Sequence, residues 1–92
     1  MMQFQLITLA GVKLDEPVYE VMIPTTEGQI AVFPSHEPLV AVAQPGAVAV
    51  RRQKTDSDDQ LEYFAISGGV VEINQQRVRI LVDEAEHGDD IV

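Results

Sequence analysis

Apolar and polar residues alternate one by one in this chain, in short runs that proline, glycine or asparagine keep interrupting. Phe4 and Leu6 fall on one side of the first run, with Gln3, Gln5 and Ile7 on the other. Tyr19, Val21 and Ile23 alternate with Glu20 and Met22 until Pro24, and Ile30 to Phe33 runs into Pro34. Val40 to Ala43, Ala47 to Arg52, Leu61 to Ile66, Val70 to Ile73 and Arg77 to Val82 complete the series. Successive side chains point to opposite faces only in a strand, and no window sustains the 3.6-residue spacing of an amphipathic helix. Strands this short bury their apolar sides by packing sheet on sheet. The expected fold is therefore all-β: a small antiparallel β-sandwich of roughly eight to ten short strands.

The turn residues sharpen that picture. Pro45-Gly46 suits the central pair of a type II turn, where glycine takes the positive angle. Gly68-Gly69 between two β-rich runs suits a tight hairpin. Gly11-Val12-Lys13 and Asn74-Gln75-Gln76 read as further turns, and Gln53 to Gln60 as an exposed hairpin loop. With 92 residues the chain makes one domain, and with no cysteine it has neither disulfides nor a thiolate metal site. Tryptophan is absent and aromatics are 5%, so Val, Ile, Leu and Ala must build the core.

Charge narrows the function. Fifteen acidic residues against six basic ones give a net charge of -9, a field that repels nucleic acid and anionic lipid. The start, MMQFQLITL, has neither a basic leader nor a small-residue cleavage site. The apolar runs fall far short of the roughly 18 residues of a membrane helix, so membrane association is expected only through a partner.

Groups that could carry chemistry have plainer readings. Ser35-His36-Glu37 are adjacent, whereas a triad needs residues that converge in space. Asp56-Ser57-Asp58-Asp59 lacks the glycine and distal glutamate of a calcium loop. Gly68-Gly69 lacks the lysine and serine of a phosphate loop. His36 and His87 are too few and too far apart for a zinc site. Arg51, Arg52 and Lys54 are expected to pair with nearby acids. The sequence thus assigns no catalytic residue, no cofactor and no metal.

Several motifs together resemble one family, the epsilon subunit of the F-type ATP synthase. Glu27-Gly28 opens an apolar strand, and Pro34-Ser35-His36-Glu37-Pro38-Leu39 resembles the family's Pro-Gly-His-x-Pro-Leu loop. Pro45-Gly46, Ile66 to Ile73 around Ser-Gly-Gly, and Val78 to Ala85 follow in family order. Ala31 and Ser35 stand where the family usually has glycine, and Asp15 falls where an aromatic is common. The resemblance implies a central-stalk subunit at the cytoplasmic face of the cell membrane. It would join the gamma subunit to the c-ring and help couple ion flow to ATP synthesis. It implies c-ring-facing loops at Glu27, Gln29, Ser35, His36 and Glu37. A gamma-facing surface of outward apolar residues is expected to include Ala43, Val48, Val50 and Val71. The expected division is a sandwich over 1–83 and an acidic tail over 84–92. Gly88 to Ile91 would start the family's helical hairpin, and without the hairpin neither hydrolysis inhibition nor an ATP site is expected. Two other classes compete: a stand-alone ligand- or carbohydrate-binding sandwich, which needs an aromatic platform, and a small hydrolase using His36, which needs an acid beside that imidazole.

Overall fold

The computed structural model describes residues 1–88. Ten strands form in chain order: β1 (Met2–Thr8), β2 (Gly11–Val18), β3 (Glu20–Thr25), β4 (Gly28–Val32), β5 (Leu39–Ala43), β6 (Gly46–Arg51), β7 (Glu62–Ile66), β8 (Gly69–Ile73), β9 (Arg77–Val82) and β10 (Ala85–His87). Their pairing runs β10-β7-β6-β3-β5-β8-β9-β1-β2, with β4 on the other edge of β3. The β3–β5 junction is a single pair, Thr25 opposite Ala43. The sheet folds over there into two layers, the sandwich that the alternation demanded. Every pairing is antiparallel except β1 with β9, which is parallel.

Between the layers lie Phe4, Leu6, Ile23, Val32, Val78 and Ile80, all with no exposed surface, and Phe64 belongs to the same core. Ala43, Val48, Val50 and Val71 belong to the same core, at 3%, 0%, 0% and 0% exposure. That overturns their assignment to a gamma-facing surface. Alternation separates two faces without saying which is inside, and these four point inward. The outward partners of Val48 and Val71 are Ala47 and Val70, both exposed.

Several turns also differ from expectation. β7 and β8 are not neighbours, so Gly68-Gly69 carries the chain from one layer to the other and makes no hairpin. Gly46 is not among the positive-φ glycines, so Pro45-Gly46 is not a type II turn. The first turn is Leu9-Ala10, and Gly11 to Val18 is a strand that the sequence reading missed. Asn74 behaves as expected: its Oδ1 accepts from the Gln76 and Arg77 amides and turns β8 into β9. Ala85–His87 pairs with Phe64–Ile66, so the sandwich continues past residue 83. The rest of the expected tail and helix start, 89–92, lies outside the described residues.

Ser35 is the one described non-glycine residue with positive φ, at 67°. The backbone keeps the left-handed turn suited to glycine even though serine stands there. A side chain in that region costs roughly 1–2 kcal/mol, partly offset by glycine's greater freedom when unfolded. Ser35→Gly should therefore stabilise the domain by about 0.5–1 kcal/mol, seen as a higher urea midpoint with unchanged slope.

Candidate functional site

The predicted loop residues fall in two places. At one, Thr25 Oγ1 donates to the Gly28 carbonyl at 2.5 Å and accepts from the Glu27 amide at 3.2 Å. This small ring holds the β3–β4 tip and leaves Glu27 and Gln29 exposed. The other place is the Ser35–Glu37 loop, past the far end of β4. There the Ser35 amide donates to the Gln75 carbonyl at 3.1 Å. Gln29 is itself in β4, and the strand from Gly28 to Val32 spans roughly 13 Å at the usual rise, so the five predicted residues lie towards its two ends and do not form one patch.

His36 lies in this second loop. Its Nδ1 is 2.6 Å from the Glu37 carbonyl oxygen, a contact in which the ring N–H donates. No carboxylate or hydroxyl is hydrogen-bonded to it among the described residues, which removes the acid a hydrolase would need. The carbohydrate reading fares no better. Phe4 and Phe64 are buried, and Tyr19 meets Phe33 edge to face, so these rings make no flat platform.

The basic residues hold structure together. Arg51 Nε donates to Glu20 at 2.8 Å, while its other nitrogens reach the Asp56 carbonyl and Asp58. Glu20 is 7% exposed, although alternation had placed it outward. One guanidinium thus neutralises a buried acid and anchors the 53–60 loop. Arg52 pairs with Glu16 of β2 and Glu62 of β7, and His87 Nε2 meets Glu62 at 2.8 Å. This cluster joins β2 to β7 and β10.

The Glu62 carboxyl is held below its ordinary value of 4.5, chiefly by the hydrogen bond from Arg52; burial opposes this and His87 adds to it. A depressed carboxylate contributes stability above its unfolded pKa that is lost as pH falls through the folded one. Asp15, held down by the Gln3 and Gln5 amides from its ordinary 3.8, acts in the same direction. Stability should thus decline as the pH drops below about 4.5, and Glu62→Gln should make that decline shallower. Urea midpoints measured through this range test it.

What the sequence reading missed is a row across the outer face of the β5-β8-β9-β1-β2 layer. Val42 lies opposite Val70, Val70 opposite Leu81, Leu81 beside Ile7, and Ile7 opposite Val12. Paired residues share a face, so five apolar side chains cross five strands. Val42, Val70, Leu81 and Val12 are 55%, 42%, 37% and 63% exposed. The next row starts at the exposed Val40 and is polar from β8 on: Glu72, Arg79, Gln5 and Asp15, tied by Arg79 donating to Gln5 and Gln5 donating to Asp15. An exposed apolar stripe beside a self-satisfied polar ladder has the composition of a surface that a protein partner covers. Fold and surface together describe a small β-sandwich with one exposed apolar face.

Known proteins specify which one. The family described as "ATP synthase, Delta/Epsilon chain, beta-sandwich domain" matches residues 1–88, and this chain belongs to it. The ATP synthase epsilon chain of Herpetosiphon aurantiacus is 38% identical over 89 residues, 97% of this chain and 62% of that one. The chloroplastic epsilon chain of Piper cenocladum is 38% identical over 77 residues, 84% of this chain and 54% of that one. This chain therefore spans a little over half the length of these relatives. Among solved structures, a chain of the Euglena gracilis mitochondrial ATP synthase, in its OSCP/F1/c-ring assembly, superimposes with a TM-score of 0.87 at 28% identity. That match covers 99% of this chain and 56% of the other. A chain of the Tetrahymena thermophila central stalk/c-ring shares the fold, with a TM-score of 0.76 at 19% identity, over 97% of this chain and 68% of that one. Epsilon chains are structural or regulatory subunits, not themselves catalytic.

Proposed function

We propose that the chain is a non-catalytic central-stalk subunit of an F-type ATP synthase. It would link the gamma subunit to the c-ring and so help couple ion flow to ATP synthesis. The observation that carries this is the family match over residues 1–88, joined to the exposed apolar row on the outer face. The subunit would sit peripherally at the cytoplasmic face of the cell membrane, meeting the membrane only through the complex.

The gamma subunit would cover the row Val42, Val70, Leu81, Ile7 and Val12, in place of the four buried residues. The c-ring would meet the Glu27–Gln29 end. Ser35, His36 and Glu37, beyond the other end of β4, fall outside that contact. A stiff joint suits torque transfer, and close-packed interiors resist deformation. Co-purification with the gamma subunit of the same genome, scored by size-exclusion chromatography, tests the reading. A stable one-to-one complex is expected; two folded chains that elute apart would refute it.

A further inference from the structure

At β5 the sandwich is left open. The β3–β5 contact ends at Thr25 and Ala43, sealed by the Thr26 amide on the Val42 carbonyl and the Gln44 amide on the Pro24 carbonyl. Backbone groups in a ladder alternate between one neighbour and the other. Val42 turns its carbonyl away from β8, so Val40, two residues earlier, turns its N–H and C=O away as well. No described strand pairs with Val40 on that side.

Leu39 records the same opening. It shares the inward side of β5 with Ala41 and Ala43 and lies opposite Ile73, yet it is 40% exposed. Beside it is a cleft of about 480 Å³. Ile30, Leu39 and Ala41 line its inner part, Val40, Val42 and Val70 its outer lip, and Glu27 is its one charged lining residue. Val42 and Val70 also belong to the outer row, so cleft and row are one continuous apolar surface.

We propose that this cleft receives one large apolar side chain from an extended segment of the gamma subunit, whose backbone pairs with Val40. The inference rests on the central-stalk reading and adds the anchor point. An extended segment fits because a helix has already bonded its own N–H and C=O groups, whereas an added strand offers them to an open edge. A large apolar residue fits because the inner lining is uncharged, and buried anchors in pockets dominate interface energetics.

The test uses the isotope-labelled chain titrated with unlabelled gamma subunit. The Val40 amide should gain protection from exchange of about tenfold or more on binding. Ala41→Leu, which fills the inner cleft, should weaken the complex by about thirtyfold, the range of a lost anchor. Val40→Pro, a change that edge strands tolerate, should weaken it too. Failure of the unaltered chain to bind gamma overturns the central-stalk reading and this inference with it. A complex in which Val40 exchanges as in the free chain overturns this inference alone, as does full affinity in both variants. Protection of Val40 that rises with the chain's own concentration makes the occupant a second copy and also overturns it. Should Ala41→Leu fail to fold, Val40→Pro and the exchange measurement decide.

Discussion

Gly69→Ala is expected to unfold most of the domain near ambient temperature or lower its melting point steeply. A Cβ at Gly69 would sit 1.9 Å from the Leu81 carbonyl oxygen and 3.0 Å from the Val82 Cα. Both atoms are backbone in β9, the strand that β8 pairs with, so no side-chain rotation relieves the contact. β8 would have to move away from β9, and Gly69 also pairs with Ala43, next to the junction of the two layers. Overpacking of this kind costs about 3 kcal/mol or more, a large part of the 5–15 kcal/mol of a typical domain. At about 4–8 °C per kcal/mol for a domain of this size, the melting point should fall by roughly 12–24 °C. Thermal melts by circular dichroism check this. A fall of only a few degrees would mean that the two strands have slack the structure does not show.

The second large effect is on binding. The double variant Val70→Asp with Leu81→Asp should keep the fold, because both side chains already reach solvent. It should lose about a hundredfold or more in affinity for the gamma subunit, since docking would bury charges with no partner. Tyr63→Ser supplies the comparison. Tyr63 is also exposed, at 48%, but lies in the other layer, opposite Ala49. Its affinity should stay within about twofold, the usual range for a residue outside the interface. Calorimetry on the three proteins decides: equal affinities for the double variant and the unaltered chain would remove the outer row from the interface.

The sequence made the class of fold legible because alternation is a local signal in strands such as β1, β3, β7 and β9, while β5, apolar throughout, showed only as a short run between turn residues. β2 escaped because it is an edge strand. Pro17 and the charges at Lys13, Asp15 and Glu16 break its pattern, and an edge tolerates a proline that a central strand would not. β10 escaped because three residues carry no periodicity; pairing with Phe64–Ile66 makes it a strand. The Gly68-Gly69 hairpin failed for a related reason, since two consecutive strands need not be partners and nothing local says so.

The docking face was harder to see. Choosing Val48 and Val50 as outward residues ignored a cue in their own strand: Ala47 and Ala49 alternate with them. Larger branched side chains on one side and small ones on the other favour the larger side for filling a core. The row from Val42 to Val12 was out of reach, because its members lie far apart in sequence and meet only through the register of five strands. The buried Glu20 was equally hidden: its partner, Arg51, is 31 residues away.

The parallel pairing of β1 with β9 bears on how the chain is made. Phe4 lies beside Val78 and Leu6 beside Ile80, so β1 completes its layer only when nearly all the rest of the domain has been made after it. Until then the Phe4 and Leu6 side is bare, with only the β2 hairpin for company. Contacts between such distant parts slow folding, because the loop must close before the pair forms. Synthesis at about 5–20 residues per second leaves that apolar strand waiting for several seconds. Throughout that interval the Phe4 and Leu6 face depends on β9 alone for its cover on that edge, and the layer closes only when β9 emerges.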